Sequence, residues 1–297
     1  MIQPLVVTLM VPRDKKQESR FFHHAWDALK ARGFHVAELE WLSDNEACDI
    51  TVEGADFAEL KKNVTETVES HPIDFAVQPK EGRRKKLLIS DMDSTLIGQE
   101  CIDELADFVG KKEEVSAITE RAMRGELDFK EALTHRVSLL KGLREDVLQR
   151  AFDERITMNA GGRELVETMR ANGAYTLLVS GGFTFFTSRV RDALGFQEDH
   201  SNVLDVAEGA LTGKVVPPIL DKEAKLASLK TTCARLGIST HDVMAIGDGA
   251  NDLPMIKEAG MGVAYRAKPV VRAEADMALN HCDLSALLFV QGYKKQF

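Results

Sequence analysis

The stretch LLISDMDSTLIGQE, residues 87–100, opens with four apolar or small residues and then turns abruptly polar. An unbroken apolar run of that length reads as a strand covered on both faces, as in a parallel sheet, and not as a half-exposed strand of alternating character. Three later stretches have the same look: YTLLVS at 175–180, VMAI at 243–246 and MGVA at 261–264. A helical pattern follows each of them. The alternation predicts an α/β fold, a doubly wound parallel sheet whose ligands gather at the carboxyl ends of its strands. One crossover is far too long, because 89 positions separate Asp91 from Ser180 where about a dozen suffice. The excess, rich in Glu, Lys, Arg, Ala and Leu, carries Ile118, Ala122, Phe129, Leu133, Val137 and Leu140 at near-helical intervals. It predicts a helical cap inserted at about residues 105–157.

Upstream, residues 1–80 read in the order βαββαβ, the pattern of a ferredoxin-like α+β domain with two helices on one face of an antiparallel sheet. Gly33 stops the first helix and Asp56 caps the second. The segment QPKEGRRKK, residues 78–86, has linker chemistry and sets the expected boundary, leaving 81–297 to the α/β core. Residues 199–216, DHSNVLDVAEGALTGKVV, suggest a small hairpin at the sheet edge. No solenoid repeat or low-complexity tract interrupts the chain.

Of 297 residues, 44% are hydrophobic and 29% charged, which is ordinary for a globular protein and excludes a disordered or fibrous chain. The net charge of −9 speaks against a broad nucleic-acid or anionic-membrane surface. No apolar run reaches membrane-spanning length, and residues 5–11 are stopped by Pro12 without a preceding basic segment, so neither a membrane span nor a secretory signal is expected. Cys48, Cys101, Cys233 and Cys282 are scattered, without metal-ligand spacing; buried reduced thiols and a cytoplasmic location follow.

The polar residues that follow the strands carry the chemistry. They are Asp91-Met92-Asp93-Ser94-Thr95, Ser180-Gly181-Gly182, and Gly247-Asp248-Gly249-Ala250-Asn251-Asp252. Singly, each has a plain structural use: the first as a turn or helix cap, the second as a loop, and Lys225 as a solvated helix lysine. In a doubly wound sheet they share one crevice, where Asp91, Asp93, Asp248 and Asp252 would repel one another without a cation. Oxygen ligands with no neighbouring Cys or His favour Mg²⁺. GDGAND sits where a dinucleotide fingerprint would, but Asp252 in place of the third glycine would face the pyrophosphate. No GxxxxGK[ST] occurs, so a P-loop ATPase is not supported. An acidic crevice handling phosphate needs a fixed cation besides the metal, and Lys225 can supply it.

In order and spacing, DMDST, SGG, Lys225 and GDGAND resemble the four motifs of the haloacid dehalogenase superfamily of phosphotransferases, over about the last 210 residues. Within it, DMDSTLIGQECIDELA with Glu100, Phe129 and Arg136 is most similar to the phosphoserine phosphatase family. The resemblance implies Mg²⁺-dependent hydrolysis of phosphoserine, the last step of serine formation. Asp91 would be the nucleophile, forming an aspartyl-phosphate. Asp93 would protonate the leaving oxygen and later take a proton from water. Starting protonated requires a pKa above the usual value of about 3.9, and substrate phosphate is the expected cause. Asp91, Asp248 and the backbone carbonyl of Asp93 would hold the metal. Ser180, Gly181, Lys225 and Asn251 would hold the phosphoryl oxygens, with Asp252 orienting Lys225 or a metal-bound water.

Selectivity for an amino-acid phosphate needs one acid and one base above the phosphate site. Glu100 would accept from the ammonium, Arg136 would grip the carboxylate and Phe129 would exclude water. A phosphatase or phosphotransferase acting on another small phosphomonoester shares these motifs. A third reading makes the N-terminal domain, which resembles ACT modules, the working part of an amino-acid sensor, although Pro12-Arg13-Asp14 stands where a glycine-containing turn is common. The expected partner is the small-molecule substrate, with neither nucleic acid nor membrane; a homodimer is a further expectation.

Overall fold

The computed structural model describes residues 3–295. The chain divides into two compact units, one formed by residues up to Lys85 together with those from Asp276 onward, the other by Lys86–Ala275.

The first unit contains β1 (Leu5–Met10), α1 (Arg20–Ala31), β2 (His35–Ser43), β3 (Ala47–Glu53), α2 (Phe57–Val68) and β4 (Asp74–Pro79). The antiparallel sheet has the order β2-β3-β1-β4, which is the ferredoxin-like arrangement. α1 buries Phe22, Ala25 and Leu29, and α2 buries Leu60, Val64 and Val68. Spacings of three and four put each set on one stripe, and both stripes join a cluster with Leu5, Val7 and Leu9. Asp56 accepts the N–H of Glu59 at 2.9 Å and so caps α2.

The expected assignment of everything beyond residue 80 to the α/β core needs correction at the C-terminus. Residues 276–297 group with the first unit, because Asp74, 2% exposed, accepts the backbone N–H groups of Asn280 (2.9 Å), His281 (2.9 Å) and Cys282 (2.7 Å). The Gln78 amide donates to the Val290 carbonyl at 2.7 Å. The basic run expected as linker is engaged as well. Arg83 lies 2.6 Å from the buried Asp49, and the Arg84 guanidinium stacks 3.9 Å from the centre of the Tyr293 ring.

The second unit contains β5 (Leu87–Ser90), α3 (Cys101–Asp107), α4 (Lys112–Met123), α5 (Phe129–Ser138), α6 (Asp146–Arg155), α7 (Gly162–Ala171), β6 (Tyr175–Phe183), α8 (Thr184–Leu194), β7 (Glu198–Ala207), β8 (Ala210–Val216), α9 (Lys222–Leu236), β9 (Val243–Gly247), α10 (Leu253–Glu258), β10 (Met261–Tyr265) and α11 (Pro269–Glu274). Its strands follow the order β10-β9-β5-β6-β7-β8, parallel throughout except for the final β7–β8 hairpin. This is the doubly wound sheet that the apolar runs require. Every residue of β5, β9 and β10 is buried, which explains why those strands show no alternation. The first unit closes with β11 (Met277–Leu279) and α12 (Ala286–Val290).

The cap is the helical insertion α3–α6, and it leaves the core at Gln99, earlier than the expected residue 105. Its two connections are stitched to each other: Gln99 Nε2 donates to Thr157 Oγ1 at 2.8 Å, and Thr157 N–H returns a bond to Gln99 Oε1 at 2.9 Å. The β7–β8 hairpin supports the cap from the side, with reciprocal backbone bonds joining Gly142 and Leu143 to Leu211, each at 2.8 Å. Among the described residues no helix is long and apolar enough to cross a membrane.

Among the described residues the Asp74 carboxylate is the side-chain acceptor for three consecutive backbone donors. Asp74→Ala leaves them unpaired, and a loss of about 2–4 kcal/mol of unfolding free energy is expected, measured by urea denaturation of the full chain.

Candidate active site

β5 lies between β6 and β9, with Ser90 opposite Leu178 and Ile246. The Asp91 N–H still bonds the Ile246 carbonyl at 3.0 Å, so Asp91 stands at the strand end where the three strands meet. The β6–β7 ladder is regular to Val179 and resumes at Phe183. Ser180, Gly181 and Gly182 thereby leave the ladder and turn toward Asp91 and Asp93. Ser180 Oγ accepts the Gly182 N–H at 2.8 Å and donates to Asp93 Oδ2 at 3.4 Å. A Cβ on Gly181 would lie 2.6 Å from Phe129 Cζ, so glycine is what allows that ring to reach the loop.

Lys225 projects from the first turn of α9, where the Asp221 side chain caps the helix by accepting the Ala224 N–H at 2.9 Å. Its ammonium, 1% exposed, donates to Asp91 Oδ1 and Asp252 Oδ1, both at 2.7 Å. The other oxygen of Asp252 accepts the N–H groups of Asp248 and Gly249, both at 3.1 Å. Asp252 is thus fully occupied in holding Lys225 and the β9 loop. Burial alone would lower the Lys225 pKa, but Asp252 and Asp91 outweigh it and raise it, so the group stays an ammonium.

Asp248 has the Thr95 hydroxyl at 3.1 Å and, among the described residues, no cationic partner. Its pKa is pushed well up, first by burial and then by the charges of Glu100, Asp252 and Asp91. Asp91 is pushed up to about 7 by burial and Asp252, against the pull of Lys225. Oxygens of Asp91, Asp248 and Asp252 lie within 4.8 Å of one another. Ionised together, three carboxylates against one ammonium would leave two negative charges, the deficit that one divalent cation balances. The donors are all oxygen, which suits a hard cation. Asp252, whose lone pairs are committed, is the poorest ligand of the three, while Asp248 is the most available.

Asp93 sits beside this cluster, its Oδ1 accepting the Cys101 N–H at 2.9 Å. Burial raises its pKa more than that bond and Lys225 lower it. Burial therefore begins the shift for which the sequence points to substrate phosphate.

Above these groups is a narrow cavity of about 40 Å³ lined by Asp91, Asp93, Ser180, Gly181 and Asn251 from the core and by Glu100, Met123, Phe129 and Arg136 from the cap and its connection. All the residues singled out in the sequence converge on it or, for Lys225, Asp248 and Asp252, on its floor. The upper wall holds one acid and one base. Glu100 accepts the Ser94 hydroxyl at 2.6 Å and has no cationic partner among the described residues, and burial, then Asp93, raises its pKa well above the usual carboxylate range. Arg136, 5% exposed, donates to the Ala132 carbonyl at 3.2 Å and to Thr119 Oγ1 at 2.9 Å and pairs with no carboxylate among the described residues. Asn251 Oδ1 is buried without a hydrogen-bond partner; turning the amide over would place a donor there. Sequence reasoning missed Thr119 and Met123, which line the same side of α4 through a four-residue spacing.

A profile of haloacid dehalogenase-like hydrolases matches residues 88–257. The chain belongs to this family. The hydrolase is 51% identical over 208 residues to phosphoserine phosphatase of Polaromonas sp., an alignment covering 68% of this chain and 88% of the relative. Among solved structures, a haloacid dehalogenase family hydrolase of Salmonella enterica serovar Typhi is 30% identical, with TM-score 0.85 over 97% of this chain and 98% of the other. A phospho-aspartyl intermediate analogue of phosphoserine phosphatase is 39% identical, with TM-score 0.67 over 71% of this hydrolase and 100% of that chain.

The charge deficit around Asp248 has a measurable consequence. A divalent cation at about a hundred times its Kd should stabilise the hydrolase by about 2.7 kcal/mol, seen as a rise in melting temperature on adding Mg²⁺. Asp248→Asn removes an oxygen ligand, so the variant is expected to gain less from Mg²⁺ than the parent; an unchanged gain would place the cation elsewhere.

Proposed function

We propose that the chain hydrolyses O-phospho-L-serine to L-serine and inorganic phosphate. The observation that carries this reading is the pairing, across one cavity, of a phosphate floor with an unpaired Glu100 and Arg136 in the opposite wall. A free phosphomonoester would leave both charges unsatisfied, whereas the ammonium and carboxylate of an amino acid answer one each.

In this reading Asp91 attacks phosphorus in line as the bond to the serine oxygen breaks, and the phosphoryl group passes to the Asp91 carboxylate. The raised Asp93 donates its proton to the departing serine oxygen. As a carboxylate, Asp93 then takes a proton from the water that attacks the aspartyl-phosphate, which releases phosphate and restores both aspartates. Ser180, the Gly181 N–H and Lys225 hold the equatorial oxygens, with Asn251 as a further donor. Asp91, Asp248 and the Asp93 carbonyl would hold Mg²⁺, which would supply the charge neutralisation that lets a carboxylate approach a phosphate dianion. Phe129 against Gly181 closes the floor to bulk water. The reading places the enzyme at the last step of serine formation, in the cytoplasm, where four buried free thiols stay reduced, and it admits a homodimer.

Phosphate release from L-phosphoserine, phosphothreonine, phosphoglycolate and p-nitrophenyl phosphate tests the assignment. Preference for phosphoserine, abolished by EDTA and restored by Mg²⁺, is the expected result. Arg136→Ala should raise KM for phosphoserine roughly ten- to a hundredfold and that for p-nitrophenyl phosphate far less. A metal-dependent activity highest on another ester would keep the floor chemistry and remove the roles of Glu100 and Arg136.

A further inference from the structure

Arg136 is held by two fixed partners before any ligand arrives. Its Nε bonds the Ala132 carbonyl one turn back on α5, and its Nη1 bonds Thr119 Oγ1 on α4. Thr119 in turn lies 2.7 Å from Asp103 Oδ1 on α3 and 3.0 Å from its own Val115 carbonyl. One hydroxyl proton serves these two acceptors, and the oxygen that receives the arginine N–H becomes a better donor toward Asp103. Three cap helices thus converge on one buried hydroxyl, 4% exposed at Thr119.

We infer that Thr119 and Asp103 are positioning residues for selectivity, which set Arg136 in the orientation that receives the substrate carboxylate without neutralising its charge; the inference rests on the phosphoserine reading. The hydroxyl spacer is the essential feature. An aspartate bonded directly to the guanidinium would occupy the same fork a substrate carboxylate needs, in competition with it. With Thr119 interposed, Asp103 anchors the arginine at second hand, while Nη2 keeps no protein acceptor among the described residues. A long side chain ordered in advance also loses less freedom on binding.

The test is steady-state kinetics of the full chain on L-phosphoserine and p-nitrophenyl phosphate, which lacks both amino-acid charges. Thr119→Val, which removes only the hydroxyl, should raise KM for phosphoserine about tenfold with kcat within about twofold, and shift KM for p-nitrophenyl phosphate much less. Thr119→Ser restores the hydroxyl and should restore KM. Asp103→Asn, which keeps an acceptor but removes the charge, should fall between, and carries the test alone if Thr119→Val does not fold. Equal changes on both substrates, or an unchanged phosphoserine KM in Thr119→Val and Asp103→Asn, would overturn the positioning role. Absence of phosphoserine preference in the parent protein would instead refute the substrate reading on which it rests.

Discussion

The Lys225 ammonium, shared at 2.7 Å between Asp91 and Asp252, is the interaction on which the rest of the site depends. Removing one member of a buried pair typically costs about 3–5 kcal/mol because the other charge is left uncompensated, and here a single cation serves two carboxylates. Asp252 anchors the lysine from one side and the β9 loop from the other, so α9 and the ends of β5 and β9 are fixed by one set of bonds. Lys225 still leaves the acidic cluster short of positive charge. That shortage makes the crevice receptive to a divalent metal and, through it, to phosphate.

The two walls of the cavity have different tasks in this account. The floor is built from strand ends and carries groups that meet any phosphoryl ester. The upper wall comes from a helical insertion tied to the core at Gln99 and Thr157 and supported by the β7–β8 hairpin. Groups that distinguish one ester from another, Glu100 and Arg136, belong to that wall and its connection. Such a division lets substrate choice change in the cap without disturbing the chemistry below.

The floor was legible in the sequence because parallel strands have an unmistakable apolar run, and a doubly wound sheet then brings the residues after each run together whatever their separation in the chain. Asp91, Ser180 and Asp248 could be placed that way, whereas Lys225 was assigned from the need for a fixed cation beside the acidic crevice and from the spacing of the four motifs. The C-terminal segment was not legible, since nothing about Asp74 within a strand announces that its carboxylate will take three backbone donors more than two hundred residues later. Thr119 and Asp103 were hidden for a related reason. Their contact with Arg136 crosses three helices, and no periodicity within one helix encodes it. The hairpin after Gly195 was visible as a hairpin, but its grip on Gly142 and Leu143 is made by backbone groups, which leave no residue pattern.

The central claim is that Asp91 carries the phosphoryl group in a covalent intermediate. The most direct measurement is acid quenching of the enzyme during turnover of L-phosphoserine labelled in its phosphoryl group, followed by borohydride reduction and peptide mapping by mass spectrometry. The account predicts label that stays with the acid-quenched protein and is released by borohydride, with reductive conversion of Asp91 alone, within residues 87–100, to homoserine. Label on Ser180 or another residue, or turnover with no trapped acyl phosphate, would contradict it.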